Sequence, residues 1–301
     1  MSSNLIGIVT FGGLNFTKLT IQGIRETVKS PYLIYAVVGK PGDQETITWL
    51  NQENIPFVWH ELNWGFPYSV NDIYDFAWKR NSFDNLIMIG NDVIPYPHAV
   101  DSLIQVANTT DFEWICSRQY SVKDLVRDFP ETKGYFSGEK MTYNFQDEPW
   151  KVYQNYSNEI SISSAGLSDV HNLALYKKSV MDKIGYIDVN FYPAYYEDND
   201  YARRGVNAKI RSCTVINSIY FHFWSRTIHQ GTGGSDSTYF NHNRNFYLGK
   251  WGGDFGKEKY TIPFNEKPFD IGNGTILNYG LNIQSRDQEK EIISFWMEEH
   301  G

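Results

Sequence analysis

The first 115 residues alternate between short, continuously apolar runs and segments whose apolar positions recur at helical spacing. "LIGIVT" is a run of the first kind and "FTKLTIQGIRETVK" a segment of the second. Continuous apolar strands separated by amphipathic helices are typical of a mostly parallel sheet that helices cover on both faces. The pattern therefore predicts an α/β, doubly wound fold. The predicted strands are 5–10, 32–38, 55–60 and 85–90, and the predicted helices are 16–29, 44–53, 68–80 and 97–107.

The second half of the chain is less regular. Residues 117–165 are rich in Tyr, Asp, Glu, Ser and Gly and predict an irregular insertion beside the sheet. Regularity returns at 171–188, which predicts a strand and a helix that ends at Gly185. A last strand is expected at 214–223, and the Gly/Ser-rich stretch 229–237 predicts a mobile loop. Further helices are predicted at 238–250 and near the C-terminus.

Composition narrows the classes of function. Aromatic residues make up 16% of the 301 residues, and flat rings stack on sugars and on nucleobases. The formal net charge of −8 argues against a broad grip on a nucleic acid backbone. Cys116 and Cys213 have no metal-ligand spacing, so buried free thiols are expected. No run of about 18 apolar residues occurs, and we expect a soluble, cytoplasmic protein without a membrane span, whose oligomeric state is left open.

The fourth predicted strand ends in "GNDVIPYP" (90–97), which places Asp92 directly after it. Right-handed crossovers put ligands outside the carboxyl ends of parallel strands. A carboxylate at that edge suits Mg²⁺ or Mn²⁺, whose shell phosphate oxygens then complete. The alternative is that Asn91 and Asp92 only shape a turn before two prolines.

A second acidic feature is "YYEDNDYARR" (195–204), where Glu197, Asp198 and Asp200 fall within four positions. Three carboxylates so close repel one another and resist burial unless a cation or a proton-transfer role compensates. Asp200 and Arg204, four apart, predict an ion pair that supports a helix. From the residues alone, the cluster is either a solvated turn or part of an active site.

These elements occur in an order that resembles the family 2 glycosyltransferases of GT-A fold, particularly their rhamnosyl- and galactofuranosyltransferase-like members. The resemblance spans roughly residues 5–250. It implies a GT-A domain over 1–250, with a Rossmann-like nucleotide-sugar-binding half (1–115), an acceptor and catalytic half (116–250), and a C-terminal extension (251–301). The matching residues are Asn63, Gly65, Phe66 and Asn71, then Asn91 and Asp92, then Gly185, Asp188, Phe191, Glu197, Asp198, Asp200 and Arg204, and last His222.

By this resemblance the protein is an inverting, metal-dependent glycosyltransferase that moves a sugar from a nucleotide-sugar donor, with a UDP-sugar favoured, to an acceptor hydroxyl. Asp198 takes the role of general base, and Glu197 binds the acceptor or raises the pKa of the base. Tyr196 and Trp224 are placed with Glu197 on the acceptor side.

The resemblance also implies a Mn²⁺ or Mg²⁺ ion, which offsets the charge on the leaving diphosphate. Asp92 and His222 are the implied metal ligands, and Asn91 is expected to reach the metal through water or to contact the ribose. Arg226 and His229, with the glycine-rich stretch after them, are expected to close over the phosphates.

The donor is expected at the exit of the first strand, on Thr10 and Phe11. One departure from the family pattern concerns the base: Gly39 stands where the family usually carries an Asp after the second strand, and Asp43 is the candidate substitute. The remaining residues expected to bind the donor are Asn63, Gly65, Asn71, Asn91 and Asp92.

Alternatives remain at this point. The acceptor is a glycan, a small molecule, a lipid-linked glycan, a protein or a modified nucleobase of DNA. A nucleotidyltransferase would share the sheet and the metal-bound phosphates, but "TFGGLNFT" (10–17) lacks the basic residues such enzymes carry after the first strand. A non-catalytic sugar-binding module would be free to lose Asp92 or Asp198, and both are present.

Overall fold

A nine-stranded mixed sheet forms the centre of the molecule, in the order β3-β2-β1-β4-β10-β6-β11-β5, with β9 beside β11. Six strands point the same way, and β5, β9 and β10 run against their neighbours. A separate hairpin pairs β7 with β8. The strands are β1 (Asn4–Thr10), β2 (Leu33–Val38), β3 (Phe57–Trp59), β4 (Asn85–Gly90), β5 (Val93–Pro95), β6 (Trp114–Tyr120), β7 (Phe136–Ser137), β8 (Thr142–Tyr143), β9 (Ile162–Ser163), β10 (Leu173–Lys177) and β11 (Ser212–His222). The computed structural model describes residues 3–120, 127, 136–137, 142–143, 159–163, 172–223, 238–266 and 285–300.

Helices cover both faces of this sheet. Alternate residues of β1 point to opposite faces, so Ile6 and Ile8 join one core with α1 and α4, while Leu5 joins another with α3. The predicted α/β, doubly wound and mostly parallel fold is therefore confirmed. The helices are α1 (Leu14–Thr27), α2 (Gln44–Gln52), α3 (Gly65–Trp78), α4 (Ala99–Thr109), α5 (Lys178–Ile184), α6 (Glu197–Asn207), α7 (Thr238–Trp251) and α8 (Arg286–His300), with 3₁₀ turns at Val189–Phe191 and Pro263–Glu266.

Most predicted elements appear within a few residues of their expected bounds. Helix α5 ends at Gly185 as expected, with φ of 72°, a conformation that glycine adopts without strain. Helix α3 begins at Gly65, three residues before the predicted start. Cys116 and Cys213 are buried thiols that form no disulfide, as expected from their spacing.

Five strands were not predicted: β7, β8 and β9, which lie in the stretch expected to be irregular, and β5 and β6. Strand β6 extends to Tyr120, into the stretch where an irregular insertion was expected to begin. Strand β5 lies in "VIP", which reads as a turn before prolines in the sequence. Strands β5 and β6 both pair with β11, which lies about a hundred positions or more further along the chain. Because this pairing is distant in sequence, local periodicity gives no sign of either strand.

The predicted division of the chain remains a prediction, but two contacts bear on it. Antiparallel β10 pairs with β4 and β6 across the proposed boundary at 115. In the C-terminal segment, α8 buries Ile293 and Trp296 against Tyr68 of α3 and Val189. Among the helices of the described chain, none combines the length and apolar composition needed to cross a bilayer.

Several predictions fall on residues outside the described ranges. These are the mobile loop at 229–237, most of the insertion at 117–165, and the roles of Trp224, Arg226 and His229.

Candidate active site

A cavity of about 560 Å³ opens at the carboxyl edge of the sheet. Parallel β1 and β4 end there, so the segments that follow them contribute Phe11, Asn91 and Asp92 to its wall. Strand β10 runs the opposite way, and Asn172 at its start therefore lies at the same edge, where its carbonyl accepts a hydrogen bond from Gly90 N–H (3.0 Å). The first turns of α3 and α6 complete the wall.

The pairing of β5 with β11 brings Asp92 and His222 together. His222 lies opposite Val93 in that ladder, and Phe223 N–H donates to the Asp92 carbonyl (3.0 Å). The His222 Nε2 and Asp92 Oδ1 atoms are 3.1 Å apart, and both side chains line the cavity. The predicted metal ligands therefore share one wall, although the sequence separates them widely.

This pair fits a divalent cation, as the resemblance implies. Ligands in adjacent octahedral positions, each about 2.1 Å from Mg²⁺, lie about 3 Å apart, close to the observed 3.1 Å. Within the described ranges no group of three His, Cys, Asp or Glu side chains is arranged to hold a metal. Phosphate oxygens and water would therefore have to complete the shell.

Asn91 is engaged with the first helix. The Asn91 Nδ2 donates to Gly12 O (3.3 Å) and to Thr17 Oγ1 (3.3 Å). The main-chain carbonyl of Asn91 accepts a hydrogen bond from Thr20 Oγ1 (2.9 Å). These bonds tie the end of β4 to the loop after β1. Asn91 thus holds Asp92 in place as well as lining the cavity.

The acidic cluster forms the first turn of α6. Tyr195 and Tyr196 precede it with φ of 83° and 68°, a left-handed backbone that is costly for aromatic residues and concentrates at functional sites. This bend directs Glu197 and Asp198 to the cavity. A helix N-terminus also favours negative charge at that place.

Glu197 and Asp198 differ sharply in environment. Glu197 is 7% exposed, and its Oε2 is buried without a hydrogen-bond partner in the described structure. Burial, and then the charge of Asp198, raise the pKa of the Glu197 carboxyl well above its usual range. Asp198 is half-buried and accepts a hydrogen bond from Asn199 N–H (2.7 Å). Glu197 is therefore favoured as the neutral acid.

A buried charge network supports this turn from below. Lys250 of α7, which is fully buried, donates to Asp188 Oδ2 (2.6 Å) and to Asp200 Oδ1 (2.7 Å). Arg204 Nε pairs with Asp200 Oδ2 (2.9 Å), which confirms the predicted ion pair within the helix. Two buried cations thus balance two buried carboxylates directly behind the catalytic candidates.

The start of α3 packs against the segment that precedes α6. Asn63 Oδ1 accepts from Gly65 N–H (3.1 Å), and Phe66 N–H donates to Pro193 O (2.7 Å). Gly65 has φ of 83°, and a Cβ there would lie 2.9 Å from Pro193 O. Glycine is therefore required where the two segments meet.

The cavity collects most of the residues predicted for the site, but not all of them. Asp43 caps α2 through Thr46, and Thr10 is buried with its carbonyl bonded to Gly39 N–H. Asn71 is buried and bonds both main-chain groups of Ile187, because α3 turns its amide away from the cavity. These three do not line the cavity and are left out of the site proposed below. The predicted residues that line it are Phe11, Asn63, Gly65, Asn91, Asp92, Tyr196, Glu197, Asp198 and His222.

Sequence reasoning missed other lining residues. Asn172 follows an irregular stretch, and only the antiparallel direction of β10 explains its position. Phe240, Asp254 and Phe255 also line the cavity. No local pattern marks them, and the last two lie in the segment treated as an extension.

Comparisons with known proteins add two similar solved structures. No protein-family model matches the sequence, and no curated protein matches it either. The chain is similar to the mannosyltransferase PcManGT from Pyrobaculum calidifontis in complex with GDP-Man and Mn²⁺, with 9% identity and a TM-score of 0.49, covering 81% of this chain and 61% of that one. It is also similar to residues 1–349 of TarS from S. aureus, with 10% identity and a TM-score of 0.49, covering 83% of this chain and 70% of that one. The chain thus spans less than two thirds of the mannosyltransferase, and its activity has to be argued from its own site.

Proposed function

We propose that this protein is an inverting, metal-dependent glycosyltransferase that moves a sugar from a nucleotide sugar, most simply a UDP-sugar, to an acceptor hydroxyl. The observation that carries the proposal is the single cavity shared by the Asp92–His222 pair and the Glu197–Asp198 pair. The first pair belongs to the sheet edge and the second to α6, so a donor and an acceptor can meet between them.

The charge of the cavity supports a metal-assisted donor. Its described lining includes four carboxyl groups, from Asp92, Glu197, Asp198 and Asp254, and no Lys or Arg. A nucleoside diphosphate would be repelled by the ionised ones among them unless a cation came with it. Asp92 and His222 would hold that cation, Mn²⁺ or Mg²⁺, which stabilises the negative charge on the departing diphosphate when bound.

Glu197 and Asp198 of α6 have different roles in the proposed reaction. Asp198, which is half-buried, takes the proton of the acceptor hydroxyl as that oxygen attacks the anomeric carbon. The diphosphate leaves from the opposite face of the sugar, so the configuration inverts. Glu197, held neutral by its burial, binds the acceptor or donates a hydrogen bond beside the base.

A nucleotidyltransferase is the less favoured reaction. It also needs to stabilise a pyrophosphate, usually with basic residues near the first strand, and the described cavity wall offers none. A non-catalytic sugar-binding module would be free to lose Asp92 or Asp198, and both line the cavity.

The test begins with a panel of nucleotide sugars and Mn²⁺, with release of the nucleoside diphosphate as the readout. One donor should be hydrolysed or transferred, and EDTA should abolish turnover until Mn²⁺ or Mg²⁺ is restored. Asp92→Ala should weaken binding of the nucleoside diphosphate. Full activity in excess EDTA would contradict the metal assignment.

The role of the base is tested with Asp198→Asn, which keeps the size of the side chain and removes the proton acceptor. Transfer should fall by about 10²–10⁴-fold, the usual scale for a positioned base, while the Kd of the donor changes little. Asp182→Asn is the matched control, because Asp182 is 53% exposed on α5, away from the cavity. Retention of more than about a tenth of the wild-type kcat by Asp198→Asn would reject Asp198 as the base.

A further inference from the structure

The loop at 252–261, between α7 and the 3₁₀ turn at Pro263–Glu266, forms part of the rim of the cavity. A Cβ at Gly253 would lie 2.2 Å from Lys257 O, so the backbone is tightly folded there. The Tyr247 hydroxyl of α7 donates to Glu258 Oε1 (2.6 Å) and anchors the far side of the loop. This packing holds Phe255 at the mouth of the cavity.

Further aromatic rings line the same cavity as this rim. Phe255 is 54% exposed although it lines the cavity. Phe240 also lines it, and its ring lies 5.1 Å from that of Tyr195 and 5.5 Å from that of Tyr196. One exposed aromatic residue is ordinary, but one that shares a cavity with other rings and with buried polar groups is typical of a ligand site.

The cavity wall also carries carboxyl groups that can bind hydroxyls. Glu197 presents a buried Oε2 without a partner in the described structure, and Asp198 follows it in the first turn of α6. Asp254 also faces the cavity, where Arg244 pairs with it from outside the wall (2.6 Å). Carboxyl groups exchange hydrogen bonds with the hydroxyls of a neutral ligand, whereas the ionised ones among them repel phosphates.

We propose that the acceptor is a neutral saccharide, that Phe255 stacks on the face of its sugar ring, and that Glu197 binds one of its hydroxyls. The proposal rests on the transferase function proposed above and names its acceptor. In the transfer, the acceptor oxygen forms a bond to the anomeric carbon, and its proton passes to Asp198. The bond from that carbon to the phosphate oxygen breaks, and its electron pair leaves with the diphosphate.

A nucleic acid acceptor is disfavoured by the same wall. Bases also stack on aromatic rings, but proteins that bind single strands combine stacking with a positively charged groove that follows the backbone. The described lining of this cavity has no Lys or Arg. A DNA strand would therefore meet carboxyl groups on the acceptor side, where the described lining supplies no Lys or Arg to bind its phosphates.

The test measures binding without a donor and transfer with one. Saturation-transfer NMR is recorded with maltotriose, cellotriose and mannotriose, and with a single-stranded DNA oligonucleotide that contains 5-hydroxymethylcytosine. We expect at least one trisaccharide to bind and the oligonucleotide not to bind. Phe255→Ala should raise the Kd of that trisaccharide, and its KM in transfer, about tenfold, with a much smaller change in kcat. Phe255→Trp should restore most of the affinity.

Ile262→Ala is the matched control, because Ile262 directly follows this loop and is 48% exposed but does not line the cavity. Its Kd and KM should equal those of the wild type. Binding of the oligonucleotide alone, or an equal loss in both variants, would overturn the proposal. If trisaccharides bind through Phe255 but no nucleotide sugar is turned over, the saccharide site stands and the transferase function fails.

Discussion

Replacing Lys250 tests whether the buried charge network stabilises the first turn of α6, which carries Glu197 and Asp198. The Lys250 ammonium group is fully buried between Asp188 and Asp200, at 2.6 Å and 2.7 Å. Lys250→Met keeps the unbranched apolar stem and removes the charge. Asp200 then retains Arg204 Nε and Trp251 Nε1 as partners, but among the described residues Asp188 retains only the main-chain N–H and the side-chain amide of Asn190. The buried network, balanced in the wild type, gains a net negative charge.

The cost follows from that imbalance. Breaking a buried ion pair by removing one partner typically destabilises a protein by about 3–5 kcal/mol. A domain with a total stability of about 5–15 kcal/mol would lose a large part of it. Because Asp188 and Asp200 flank the turn that carries Glu197 and Asp198, the acceptor side should be disturbed with it.

Urea unfolding followed by tryptophan fluorescence measures the effect, with the slope m compared to show that the same surface unfolds. Lys178→Met is the matched control, since Lys178 is 53% exposed and pairs with Asp182 one turn away, and it should cost about 0.5 kcal/mol or less. Adding Asp188→Asn to Lys250→Met should recover part of the loss, because it removes the unpaired charge. A loss of under about 1 kcal/mol for Lys250→Met would refute the reasoning.

Two further predictions concern stability. Gly65→Ala should lower the free energy of unfolding by about 1–3 kcal/mol, because it adds both a left-handed alanine and a contact with Pro193 O. Gly42→Ala, with φ of 70° and open space around it, should cost less in the same thermal unfolding assay, and equal costs would contradict the contact. Burial alone would raise the pKa of Glu113, but hydrogen bonds from Lys183, Ser179 and the Arg211 N–H lower it to about 2. This ionised carboxylate stabilises the fold above its unfolded pKa, so Glu113→Gln should reduce the free energy of unfolding at pH 7, and the difference should shrink as the pH falls from about 4.5 toward 2. A difference that is constant over this range would show that the charge is not responsible.

The sequence by itself determined the fold class and the place of the chemistry. The apolar runs of β1 and β4 cannot be solvated on either face, so they predict a covered parallel sheet, and Asp92 after β4 must then lie at its carboxyl edge. Asp200 and Arg204 are four apart on a helix and therefore pair, which the structure confirms. The proposed catalytic role of the cluster beside them rests on a family pattern and remains a prediction.

Only the tertiary structure decided which side chains meet. Pairing of β5 with β11 brings His222 to Asp92, and the packing of the loop at 252–261 brings Phe255 to the cavity. The tertiary structure also directs the Asn71 side chain to a hydrogen bond with Ile187 O, although its position in the motif predicted a contact with the nucleotide sugar. Periodicity reports which residues avoid water, whereas the direction of a polar side chain depends on partners distant in sequence. Those partners become neighbours only when the sheet and its helices have packed.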